Sequence, residues 1–129
     1  MLRSFIFFSC LCATSATAQE VQILPGHSDF RAPAPGVYDQ PMQLVQDWVL
    51  GFPDGEGRPE LQLASAITED GRLVVDLSES GLADDSVLAV RQRFELIRAD
   101  NGAWALVAYG FQQRCARGGS SDWQAEPCP

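Results

Sequence analysis

Lysine is absent from this sequence. Its nine basic side chains are all arginine, against seventeen aspartates and glutamates, and it has one histidine, His27. The missing lysine is put down to a genome-wide preference for arginine codons and carries no functional reading. The acid surplus excludes more. A chain of formal net charge −8 repels phosphate backbones and anionic headgroups, so nucleic acid is not an expected partner.

Catalytic signatures are missing as well. There is no Gly-x-Ser-x-Gly, no phosphate-cradling glycine loop, no His-Glu-x-x-His and no Cys-x-x-Cys. His27 stands in a proline- and glycine-rich stretch, where a histidine is expected simply to be exposed. It is also too far from the cysteines to complete a zinc set. No metal or cofactor is expected. The adjacent acids Glu69-Asp70 and Asp84-Asp85 read as turn and cap residues, although paired carboxylates can do acid–base chemistry when burial separates their pKa values.

A membrane-length apolar run is missing too. The apolar run over 5–13, broken only by Ser9, falls short of the roughly 20 residues that a spanning helix needs. Arg3 precedes it and Ala16-Thr17-Ala18 follows, the order of an export signal cleaved after residue 18. Residues 1–18 are therefore expected to be removed, which places the protein in the periplasm or outside the cell. All seventeen acids and every arginine but Arg3 lie in the remainder, which is long enough for one domain with a modest core. Of the four cysteines only Cys115 and Cys128 remain, and a lone pair in an exported chain favours a disulfide. The loop closed is about 14 residues, worth roughly 3 kcal/mol in the chain-entropy account.

What is present reads mainly as β-structure. Residues 19–41 carry Pro25, Pro33, Pro35 and Pro41 and form an irregular arm or a disordered spacer. Residues 42–52 fit either a short helix, through Leu44, Val45, Trp48 and Phe52, or a strand. The run Trp48-Val49-Leu50 tips its later half toward strand. Residues 53–59 read as a loop. Leu61, Leu63, Ser65 and Ile67 alternate, Glu69-Asp70-Gly71 turns the chain, and Leu73, Val75 and Leu77 return. Residues 78–86 are expected to be a polar connection. A long hairpin follows over 88–98 and 103–113, turning at Asp100-Asn101-Gly102. Residues 42–129 are thus predicted to be one antiparallel meander of four to five strands, or a half-open barrel, with a disulfide-tied tail. The core face is predicted to hold Leu63, Ile67, Leu73, Val75, Val90, Phe94, Leu96, Val107, Tyr109 and Phe111.

The candidate binding residues are Arg91, Arg93, Arg114, Arg117 and Trp123. Arg91 and Arg93 share one face of a strand. Pairing around the second turn sets opposite each other residues whose numbers sum to about 201–203. That puts Arg91 near Gln112, and Arg93 near Tyr109 or Gly110. A guanidinium strip on an acidic protein suits a carboxylate, phosphate or sugar acid. The same arginines also have nearby partners in Asp76, Glu95 and Glu69. Trp123 is read as a plug for the open edge of the core, with a partner-binding anchor as the alternative.

The tail Gly110-Phe-Gln-Gln-Arg-Cys115-Ala-Arg-Gly118, followed by Asp122-Trp123 and Cys128-Pro129, resembles the C-terminal end of small exported proteobacterial proteins of unestablished function. Asp85-Ser86-Val87, Arg91, Glu95-Leu96 and Trp104 extend the resemblance, which covers about the last 45 residues. It implies the exported compartment and a Cys115–Cys128 pair, and no activity. The functional expectation is a non-catalytic envelope protein that binds a partner protein or a small anionic ligand. The alternatives are an envelope hydrolase working through Asp84, Asp85 and Glu95, and a small secreted inhibitor presenting residues 116–127.

Overall fold

The computed structural model describes residues 19–53, 56–118 and 120–129. The expected export signal lies outside them. The arm contributes two short strands, β1 (Gln22–Ile23) and β2 (Val37–Tyr38). A 3-10 turn (Pro41–Leu44) and a single short helix, α1 (Gln46–Gly51), follow. Four long strands complete the chain: β3 (Gly57–Ile67), β4 (Leu73–Leu82), β5 (Val87–Arg98) and β6 (Trp104–Cys115). These four pair antiparallel in sequence order, and β1 and β2 share the outer edge of β6, β1 running parallel to it. The result is one open six-stranded sheet. No helix among the described residues is long and apolar enough to cross a membrane.

The two main hairpins use the same turn. Thr68 N–H donates to the Arg72 carbonyl at 2.8 Å, and Ala99 N–H to the Ala103 carbonyl at 2.9 Å. Each encloses three residues ending in a glycine of positive φ, Gly71 at 81° and Gly102 at 83°. Only glycine takes that conformation without a steric penalty, which is why Asp-Gly and Asn-Gly mark both turns.

Three expectations need correcting. Residues 48–50 are helical. Leu44 and Val45 are buried and Trp48 packs against the core, so the helical spacing of these residues, which lays one apolar stripe on the sheet, outweighs local β propensity. Val49 and Leu50 are left outside. Residues 78–82 belong to β4, because a ladder partner exists on each side: Ser80 pairs with Glu60 and with Ala89. Val107 does not line the core in phase with Tyr109 and Phe111. Glu95 pairs with Ala108 and Leu96 with Leu106, which leaves Val107 as an unpaired extra residue. This bulge reverses the alternation, so Leu106 and Trp104 are the buried residues.

The core is one cluster of Leu73, Val75, Leu77, Phe94, Leu96, Trp104, Leu106, Tyr109 and Phe111 beneath Leu44 and Val45. The cover stops short of β3, where Leu63 and Ile67 stay 40% and 61% exposed. Inside the core, the Tyr109 hydroxyl lies 2.8 Å from both the Phe30 carbonyl and Gln92 Oε1, with one proton to share between them. Burial pushes this phenol well above its ordinary pKa.

Candidate functional site

The face of the sheet opposite this core carries the odd-numbered residues of β5. Arg91 stands opposite Gln112 on β6 and Arg93 opposite Gly110, within the count around the turn, while Ser78 and Asp76 are their partners on β4. Two further segments close over this face. The first is the arm. Leu24 N–H donates to the Tyr109 carbonyl at 2.9 Å, and Ser28 and Phe111 exchange N–H···O bonds of 3.0 Å. The second is the tail. It is held by the Cys115–Cys128 disulfide, with Cα atoms 5.4 Å apart, and by a Gln113–Gln124 bridge with bonds of 2.9 Å. Arg114 Nε adds a 2.9 Å bond to the Ser121 carbonyl.

Between arm and tail lies a groove of about 500 Å³. His27 and Pro25 line it from the arm, Arg91, Arg93 and Glu95 from β5, and Trp123 from the tail. His27 is therefore not the free surface residue that its context suggests. Its Nδ1 lies 2.9 Å from the Pro25 carbonyl, and its ring rests on Gly110, where a Cβ atom would sit 2.5 Å from Cδ2. A glycine inside a strand marks a close approach; Gly110 was the available signal for the arm's docking place.

The five candidate residues do not form one cationic strip. Arg93 is engaged by Asp76 at 3.6 Å and Glu95 at 3.4 Å. Arg117 sits on an exposed rim, 2.5 Å from Asp85. Arg114 and Arg91 both face the Trp123 ring, with guanidinium carbons 5.7 Å and 4.5 Å from its centroid. Trp123 is half-buried between them and outside the core cluster, so it does not plug the core edge.

Arg91 differs from the others in the groove. Its Nε donates to Gln112 Oε1 at 2.7 Å, and its Nη2 donates to the same oxygen. Among the described residues no carboxylate lies within ion-pair range of it. Burial lowers its pKa, with Asp76 opposing and Arg93 adding to the effect. It stays charged at neutral pH, with donors to spare. Gln112, itself buried, donates through Nε2 to the Gly26 carbonyl at 2.8 Å. One amide thus ties the arm to the arginine. Residue type alone does not single out Gln112 as a site residue.

The candidate acids are otherwise occupied. Asp84 Oδ1 accepts from the N–H groups of Ser86 at 2.7 Å and Val87 at 3.0 Å. Those bonds, with Arg117 nearby, hold its carboxyl below the usual range. A hydrogen bond from Thr68, helped by Arg72, does the same for Asp70. Glu95 lies 3.2 Å from Arg72 as well as near Arg93. A general acid needs a raised pKa, so these two shifts run the wrong way. Among the described residues no group of three His, Cys, Asp or Glu is placed to hold a metal.

A second groove, about 400 Å³, lies between α1 and the sheet, with Trp48, Phe52, Glu79 and Val90 among its walls. No protein-family model matches the chain, and no curated protein or solved structure matches it.

Proposed function

We propose that this is an exported, non-catalytic envelope protein that binds a small anionic ligand in the groove between the arm and the disulfide-tied tail. The observation that carries this reading is Arg91. A partly buried guanidinium held by a neutral amide and an indole face, with no carboxylate in ion-pair range among the described residues, favours an incoming carboxylate or phosphate. Trp123 supplies an apolar wall and steadies the cation by a contact worth about 0.5–2 kcal/mol. Arg93 is less available, since two acids already engage it. The hydrolase alternative gains no support from acids engaged in caps and ion pairs. The inhibitor alternative gains none from a loop whose largest side chain is turned inward.

The test is a titration with acetate, glucuronate and inorganic phosphate, followed by tryptophan fluorescence and calorimetry. At least one anion should saturate. Arg91→Gln should weaken its binding by roughly tenfold or more, about 1.5–3 kcal/mol for a charge-assisted bond. Trp123→Phe should remove most of the fluorescence response. Binding that survives Arg91→Gln unchanged would place the site elsewhere.

A further inference from the structure

The two edges of the sheet are treated differently. The outer edge of β6 is occupied by β2 at Trp104 and Ala105, by β1 at Ala108 and Tyr109, by Ser28 at Phe111 and by Gln124 at Gln113. Strand β3 pairs only with β4 among the described residues.

The register shows what β3 presents. Thr68 N–H bonds to the Arg72 carbonyl, and the ladder continues as Ile67–Leu73, Ala66–Val74, Ser65–Val75, Ala64–Asp76 and Leu63–Leu77. Hydrogen-bonded and non-hydrogen-bonded pairs alternate in an antiparallel ladder. Ala66, Ala64 and Gln62 therefore turn their backbone groups toward β4. Leu61, Leu63, Ser65 and Ile67 turn theirs outward. The side chains of these same four residues lie on the core face, where the helical cover does not reach Leu63 and Ile67. An open edge with an apolar face is a template for adding a strand.

We infer that this edge pairs with the β3 of a second copy, antiparallel, about a two-fold axis through Ala64. In that register Leu61 meets Ile67 and Leu63 meets Ser65, so every outward backbone group over 61–67 gains a partner. A register shifted toward the start of the strand would bring in Pro59, which has no N–H. Charge selects the same arrangement. Arg58 of each copy falls near Glu69 and Asp70 of the other. Arg58 and Glu69 are exposed and have no ion-pair partner in their own chain among the described residues. A parallel pairing would instead set arginine beside arginine and acid beside acid, on a chain already of net charge −8. The interface is isologous and closes at two copies. It shares no residue with the anion groove.

The experiment is sedimentation together with amide hydrogen exchange, run on the purified protein across a concentration series. A dimer is expected. The Leu61, Leu63, Ser65 and Ile67 amides should exchange at least about tenfold more slowly as it forms, while Ala64 and Ala66 stay protected at every concentration. Ser65→Pro removes an outward N–H that the monomer does not use, and should weaken association by about tenfold or more. Should that variant not fold, Leu63→Lys reads the same edge. Arg58→Glu should weaken the dimer, and Arg58→Glu with Glu69→Arg should restore it. A monomer persisting to about 1 mM would overturn the inference. So would a dimer whose protection appears away from β3, or one that Ser65→Pro and Leu63→Lys leave intact. Protection of these amides only on adding an extended peptide, and never with concentration, would equally overturn it.

Discussion

At the scale of single residues, the amides of Gln92 and Gln112 link the polar groups of the two faces. Gln92 is 2% exposed, within hydrogen-bonding distance of the Tyr109 hydroxyl. Replacing Tyr109 by Phe should cost about 1–3 kcal/mol, because it leaves a buried polar group unpaired; denaturant unfolding measures it. The same substitution should flatten the alkaline limb of the stability profile. Burial raises the Tyr109 pKa above its ordinary 10.0. As pH rises past 10 the unfolded chain releases that proton while the folded chain keeps it. The unfolded state then binds fewer protons, so stability falls with pH. Tyr38, also raised by burial, should leave a residual slope, read from melting curves at high pH. On the opposite face, Gly110→Ala puts a methyl group 2.5 Å from the His27 ring. It should destabilise by about 1–3 kcal/mol and weaken anion binding, since the arm forms one wall of the groove. A variant that binds as wild type would show that the arm's position does not matter to the site.

At the scale of elements, each hairpin carries its own instructions, but the tail does not. The disulfide loop spans 13 positions of sequence, and its described residues form no strand beyond the Gln113–Gln124 bridge. Its placement rests on the covalent link and on the contacts of Trp123 and Arg114. Replacing Cys115 and Cys128 by serine should lower stability by about 3 kcal/mol, a Tm lower by roughly 10 °C. Trp123 should also be released to water, seen as a red-shifted emission, and anion affinity should fall. Loss of stability with unchanged emission and binding would mean that the indole is held by the two arginines alone. Helix α1 depends in the same way on other elements. Its six residues are too few to be stable alone, and Val45 and Trp48 hold it to the sheet.

At the scale of the whole molecule, charge would work against the proposed anion until it reached the groove. The net charge of −8 repels an anion at long range, whereas Arg91 attracts it at contact. Salt at about 0.15 M shortens the reach of that repulsion to about 8 Å. The association rate should therefore rise with ionic strength over the low-salt range, unlike that of a basic anion-binding protein; stopped-flow fluorescence across salt concentrations checks this. A rate falling steadily with salt would mean that the local field of Arg91 and Arg114 dominates the approach.

The sequence by itself determined the hairpins, their turns and the pairing of Arg91 with Gln112, and it pointed to the Cys115–Cys128 disulfide. The hairpins, turns and pairing follow from short-range alternation and from glycines at positive φ, and the disulfide from the expectation that Cys10 and Cys12 leave with an export signal. Tertiary structure alone decided the rest. Whether residues 48–50 were helix or strand depended on which face met the sheet. Whether 78–82 formed a strand depended on partners in two other strands. The reversal at Val107 depended on a bulge with no composition of its own. That Arg91 met Gln112 and Trp123 and no carboxylate among the described residues depended on where the arm and tail came to lie. The physical reason is the same in each case: these outcomes are set by contacts between segments distant in the chain, and local periodicity does not encode them.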